Sequence, residues 1–274
     1  MSEPIRVAHV VGKMCGGGVE AVVMNYYRHI DRSRVQFDFL VDEDSALVPR
    51  EEIGSLGGRV FEVPPYQRPF AYARSLESLF ADEGWPIVHS HVNALSVFPL
   101  RAAARAGVPV RIAHSHSTAG KGEPVKNALK RLLRTQANRY PTHRLACSRY
   151  AGEWLFGEGA GFDVLYNAIE LDRFSFNAEV RAEARADLGL VGVEAQRAGL
   201  PCLLSDAITR EVDVTGTVRF LPIDDSSAWA DAICALRAGE RVPVCSESFS
   251  DYDIDAAAGR LAERYLDLMA GEFR

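Results

Sequence analysis

The first 170 residues switch repeatedly between two hydrophobic periods, and that alternation limits the possible folds more than any other feature of the chain. Short apolar or β-branched runs at Ile5–Val11, Val35–Val41, Arg59–Val63, Pro86–Ser90, Val110–Ala113, Arg144–Cys147 and Asp163–Tyr166 read as strands. Helical patterns lie among them at Val19–Ile30, Phe70–Asp82, Ala94–Ala106 and Pro124–Asn138. Strands separated by helices of this length form βαβ units. Residues 1–170 are therefore expected to be an α/β, doubly wound, Rossmann-like domain with a parallel sheet covered on both faces.

The second half reads differently. Residues 171–190 resemble a linker ending in a charged helix rich in Ala and Arg. Residues 191–274 hold a short helix at Val191–Ala198, short strands at Cys202–Ser205 and Val218–Leu221, and amphipathic helices at Ser226–Ala238 and Ile254–Ala270. Two strands are too few for an independent doubly wound sheet, so this part reads as a truncated Rossmann-like domain. Such a domain leaves apolar surface uncovered, and Ile254–Ala270 offers Leu261, Tyr265 and Leu268 on one face to cover part of it.

Charge narrows the partners. With 31 Lys+Arg against 37 Asp+Glu the net charge is −6, which argues against nucleic acid, whose phosphates call for a basic surface. No apolar stretch reaches membrane-spanning length, and the N-terminus lacks a signal-peptide layout. The five cysteines are scattered without a CxxC pair and read as reduced thiols, so a cytoplasmic protein is expected.

Three motifs carry chemistry. Gly16-Gly17-Gly18 joins the first strand to the first helix, where unpaired helical N–H groups can receive a phosphate or carboxylate. The plain alternative is a tight turn with no ligand. Two His-Ser-His triplets, His89-Ser90-His91 and His114-Ser115-His116, close strands at their carboxyl ends, where ligands bind in open α/β sheets. Residues two apart on a strand face the same way, so each triplet can bring its imidazoles together for hydrogen bonding, acid–base work or simple structural duty. A metal site is the less favoured reading, because no carboxylate or cysteine is placed to complete it. The segment Lys121–Arg139 is basic and amphipathic, with Val125, Leu129, Leu132 and Leu133 on one face. It reads either as a solvated face over a core stripe or as a contact with an anionic membrane surface.

These residues resemble the retaining GT-B glycosyltransferases of the family 4-like, exopolysaccharide and capsule type. The resemblance rests on VAHVVGKMCGGGVEAVVMNYYRHID, WPIVHSHVNALSVFPLRAAARAGVPVRIAHSHST, LACSRYAGEWLFG with FDVLYNAIELDRF, and VGVEAQRAGLPCLLSD, in this order. It implies an acceptor-side N-terminal domain, a donor-side C-terminal domain, and a final helix that crosses back to the first. The implied reaction moves a sugar from a UDP- or GDP-linked donor to a saccharide or lipid-linked acceptor in polysaccharide biosynthesis. No other cofactor and no metal are implied. By position the resemblance assigns catalytic roles to His116 and then His114, an acceptor and phosphate loop to Gly16, Gly17 and Gly18, and ribose binding to Glu194.

The departures are informative. After Leu190 the chain has neither the Gly-Arg strand nor the Lys that bind the donor diphosphate in the family, and Ala186 stands where the first of two donor-site glutamates is expected. An internal deletion in the donor domain accounts for both. Loss of cationic contacts to a leaving diphosphate costs on the order of 10²-fold in rate for each. Two further readings follow: a non-catalytic saccharide- or partner-binding remnant, and a metal-dependent hydrolase built on the His-Ser-His triplets. A location at the inner face of the membrane follows if Lys121–Arg139 makes the peripheral contact.

Overall fold

The computed structural model describes residues 3–116, 132–172, 192–236 and 241–271. The chain divides into two compact units, one formed by Met1–Asn167 with Ala257–Arg274 and the other by Ala168–Ala256.

The first unit is built on a seven-stranded sheet, every pairing of which is parallel. Its strands are β1 (Ile5–Gly12), β2 (Val35–Asp42), β3 (Arg59–Val63), β4 (Ile87–Ser90), β5 (Val110–Ser115), β6 (His143–Ala146) and β7 (Asp163–Val164), in the order β3-β2-β1-β4-β5-β6-β7. Helices α1 (Gly18–His29), α2 (Arg50–Ser55), α3 (Pro69–Glu83), α4 (Val97–Arg105) and α5 (Arg149–Phe156) connect them. All eight residues of β2 are buried, as a strand covered on both faces requires.

Local chemistry sets the helix ends. α1 starts at Gly17, where the Glu20 side chain reaches back to the cap N–H. α3 stops at Gly84, whose φ of 64° is left-handed backbone that only glycine adopts without cost. α5 is capped by Ser148, whose hydroxyl accepts from the Ala151 N–H. The core joins Leu40, Tyr72, Leu76, Phe80, Trp85 and Leu100 between the sheet and its helices. At the edge of β2, Asp38 is fully buried and receives Arg6, Arg59 and the Trp85 indole.

Several boundaries differ from the sequence reading. The segment expected to be helical from Ala94 starts as a 3-10 turn at Asn93–Ser96, and the α-helix begins only at Val97. The last strand of the sheet keeps two residues, Asp163–Val164, of the four expected. Two short helices, α2 and α5, had no counterpart in the reading. Residues 117–131 and the expected linker helix at 173–190 fall outside the described residues, so most of Lys121–Arg139 does too. Within its described part Leu133 is buried, Leu132 is exposed and the Arg134 guanidinium stacks over Trp154 at 4.6 Å.

In the second unit, α6 (Gly192–Arg197) precedes a two-stranded parallel sheet of β8 (Leu203–Ser205) and β9 (Arg219–Leu221), followed by α7 (Ser226–Ala235). The buried amide of Gln196 ties it together, donating to the Gly192 and Val212 carbonyls and accepting from Thr215. Helix α7 ends at Ala235 instead of continuing to Ala238, because Leu236 takes extended backbone. The final helix α8 (Ile254–Ala270) runs into the first unit, where Glu263 pairs with Arg34 and Arg264 with Asp163. No helix among the described residues is long and apolar enough to cross a membrane.

Candidate active site

The strand order reverses between β1 and β4, and a sheet of this kind opens its ligand crevice outside the carboxyl ends at that point. A pocket of about 320 Å³ lies there, lined by Lys13, Gly17, Glu20, His91, Asn93 and Trp154 among others. Asn93 holds a φ of 52°, the one positive value among the described non-glycine residues, and its side-chain oxygen accepts the His116 N–H at 2.7 Å. This turn therefore braces the end of β5 against the end of β4. Gly12, at the end of β1, serves the close approach of that strand to the turn after β4: its φ is 79°, and a Cβ there would meet Val92 at 3.0 Å.

The glycine loop already holds an anion. The Glu20 carboxylate accepts from the backbone N–H groups of Cys15, Gly16 and Gly17 at 2.9, 2.6 and 3.0 Å. Three N–H groups that would cradle a phosphate thus grip a carboxylate of their own chain. Replacing Glu20 with Gln removes that negative charge while keeping the side chain's length. If the loop receives a phosphate, Glu20→Gln strengthens UDP binding about fivefold, equivalent to ~1 kcal/mol, as titration calorimetry would register. An unchanged affinity removes the loop from phosphate contact.

Both His-Ser-His triplets are brought together, because β4 and β5 are neighbours with His89 paired to Ile112 and Ser90 to Ala113. A fifth histidine, His9 on β1, pairs with His89 across the next ladder. His9, His89, His91 and His114 are buried, and His116 is half-buried at the rim. The rings contact one another directly. His9 Nδ1 lies 2.9 Å from His91 Nε2, His91 Nδ1 lies 2.9 Å from His116 Nε2, and His89 Nε2 lies 3.1 Å from His114 Nδ1. Tyr265 of α8 joins them, its hydroxyl 2.6 Å from His89 Nδ1 and 3.5 Å from His9 Nε2.

Burial holds all five rings neutral. It pushes His9 down to about 3 and His116 to about 4, and lowers His89, His91 and His114 well below the ordinary value; for these three the neighbouring imidazoles, which cannot become charged together, add to the effect, as does the Arg264 charge for His89 and His114. Neutral imidazoles are also metal ligands, and the sets His9, His89, His91 and His91, His114, His116 each bring ligand nitrogens within 4.8 Å. In the observed arrangement, though, those nitrogens hydrogen-bond one another, and of them only His114 Nε2 and His116 Nδ1 lack a partner among the described residues.

The structure thus brings Gly17 and Gly18 to the pocket and joins His114 and His116 in the imidazole cluster beside it. Glu194 lies in the first turn of α6, in the other unit. Tyr265 is expected from the sequence only on the covering face of the final helix, and Lys13, Asn93, Trp154 and His9 are not singled out there at all. Only His9 had a usable signal: a polar residue inside an apolar strand, with its side chain on the core face of a sheet that ends in histidines.

Comparison with known proteins gives these features a family context. Residues 17–165 match the model of the glycosyl transferase 4-like domain. The chain is 39% identical over 194 residues to EpsF of Bacillus subtilis (strain 168), assigned as a glycosyltransferase; the match covers 68% of this chain and 50% of that protein, so the chain spans about half the relative's length. Among solved structures, HepE of Anabaena in complex with UDP superposes with a TM-score of 0.64 at 13% identity, covering 97% of this chain and 96% of that one. The lipopolysaccharide outer core galactosyltransferase WaaB gives 0.64 at 11% identity, covering 98% and 100%. Both likenesses bear on the fold.

Proposed function

The chain belongs to the glycosyl transferase 4-like family, and on that premise we propose that it transfers a sugar, with retention, from a UDP- or GDP-linked donor to a saccharide or lipid-linked acceptor in polysaccharide biosynthesis. The observation that carries this reading is the pocket at the switch point, where the glycine loop, the His91–Asn93 turn and Trp154 converge. An aromatic face beside polar groups suits a sugar ring. Structural neighbours crystallised with UDP and with UDP-glucose support the donor class.

In this reading His116 acts beside the reacting sugar and His114 stands behind it. Glu194 grips the donor ribose. Lys121–Arg139 makes a peripheral contact with an anionic membrane at its cytoplasmic face. An internal deletion has removed the cations that steady the leaving diphosphate, so turnover is slow. Replacing His116 with Ala removes a hydrogen bond that strengthens in the transition state, and the transfer rate is expected to fall about 10²- to 10³-fold with little change in donor affinity. An equal rise in the donor dissociation constant would instead mark His116 as a binding residue only.

A second reading, a saccharide-binding remnant without turnover, is favoured by the two-stranded sheet of the second unit among the described residues. Calorimetric titration with UDP, GDP and their sugar conjugates separates the two. Micromolar nucleotide binding supports the transferase, with turnover assays and Glu194 variants to follow. Saccharide binding without nucleotide binding by the folded protein supports the remnant.

A further inference from the structure

The five histidines and Tyr265 are linked head to tail. In sequence along the contacts the atoms run His116 Nε2 to His91 Nδ1, His91 Nε2 to His9 Nδ1, His9 Nε2 to Tyr265 Oη, Tyr265 Oη to His89 Nδ1, and His89 Nε2 to His114 Nδ1. Every ring-to-ring link joins an Nδ1 to an Nε2, and Tyr265 bridges an Nε2 to an Nδ1. The two ends, His116 Nδ1 and His114 Nε2, are the buried ring nitrogens without a partner among the described residues.

This connectivity restricts the protons. A neutral imidazole has one N–H and one lone pair, and a phenol hydroxyl donates once while it accepts. If His116 carries its proton on Nε2, His91 must accept on Nδ1 and so carries its own on Nε2. The same logic passes through His9, Tyr265, His89 and His114. Only two orders satisfy every link: all five rings protonated on Nε2, or all five on Nδ1. In the first, His116 offers a lone pair at its free nitrogen and His114 an N–H; in the second the offers are reversed. The longest link, 3.5 Å from Tyr265 to His9, is where the chain is weakest.

We propose that Tyr265 is a positioning residue whose hydroxyl couples the five imidazoles into one proton order, so that the donor or acceptor His116 offers at Nδ1 is tied to the tautomers of His89 and His114. The coupling stands on the geometry alone; only the sugar at His116 rests on the function proposed above. Tyr265 is fully buried and Phe has the same shape, so Tyr265→Phe deletes the link without opening a cavity. The cluster then falls into two runs, His116–His91–His9 and His89–His114. Either order of a run leaves one bare N–H and one bare lone pair at its ends, so each run takes its order independently of the other.

The test is nitrogen-15 NMR of the ring tautomers in the full-length protein at neutral pH, without ligand. The wild type is expected to show one tautomer population shared by all five rings across a temperature series, and Tyr265→Phe two populations, one shared by His116, His91 and His9 and the other by His89 and His114. Differing populations among the wild-type rings overturn the proposal. So does a folded Tyr265→Phe variant in which all five rings still share one population at every temperature. Stoichiometric zinc, manganese or iron in the purified protein also overturns it, because ligated nitrogens cannot carry these hydrogen bonds. Adding UDP-glucose probes the sugar contact. A bound state with all five rings on Nδ1–H supports it, and a bound state in which His116 and His89 differ overturns the coupling. Failure of UDP-glucose to bind counts against the transferase reading and leaves the resting tautomers to decide the chain.

Discussion

Stability is expected to collapse as the pH falls from 6.5 to 5. Each of the five clustered histidines is neutral in the fold because burial lowers its proton affinity, whereas in the unfolded chain each titrates near 6.5. Below 6.5 the unfolded state therefore binds more protons than the folded one, and stability falls with pH until the folded-state value is reached. At pH 5 a ring that stays neutral costs about 2 kcal/mol, and five together approach ~10 kcal/mol, which is comparable with the whole stability of an ordinary domain. Urea unfolding at pH 7.5, 6.5, 5.5 and 5.0 measures this directly. A midpoint that stays level across that series would mean that the rings are not buried together.

The second large effect concerns Asp38 of β2, which ties the outermost strand β3 to the sheet. Asp38 has no exposed surface, and its oxygens accept from Arg6 at 2.5 and 2.8 Å, from Arg59 at 2.6 Å and from the Trp85 indole at 2.8 Å. Burial opposes its charge, but the hydrogen bonds from Arg6, Arg59 and Trp85 outweigh that and hold it at about 2. The stabilisation is fully present above about 4 and is lost as pH falls from there toward 2, a window below that of the histidines. Replacing Asp38 with Ala leaves two guanidiniums facing each other and a buried indole N–H without an acceptor. Breaking a buried pair in this way costs 3–5 kcal/mol as a rule; Arg6 and Arg59 are 31% and 42% exposed and can regain water, so about 3 kcal/mol is expected. Denaturant unfolding at pH 7.5 gives the number, and a loss below ~1 kcal/mol would show that Asp38 is not the anchor of this edge.

Much of the first unit was legible because short runs rich in apolar and β-branched residues recur between helical patterns. Val35–Asp42 is buried along its whole length although Gln36, Asp38 and Asp42 interrupt its apolar residues, and in the edge strand Arg59–Val63 the signal came from Val60, Phe61 and Val63, of which only Val63 is buried. The final helix was legible at both ends, with Leu261, Tyr265 and Leu268 correctly placed on its buried face. The helices Arg50–Ser55 and Arg149–Phe156 were not, since six and eight residues are too few to display a helical period. The 3-10 entry to α4 was hidden for another reason. It depends on Asn93 holding left-handed backbone to brace His116, which is a tertiary contact.

The candidate site divides in the same way. The His-Ser-His spacing by itself put two imidazoles on one side of each strand, because side chains alternate with a period of two. The glycine triplet likewise announced a turn where backbone N–H groups stand free. What those groups hold, the Glu20 carboxylate, and which rings meet, His9 and Tyr265 included, were decided only when the strands took their order. Sequence spacing acts within one strand or one turn. Hydrogen bonds between residues 82, 176 and 256 positions apart exist only because the sheet sets β1 beside β4 and the final helix lies against both.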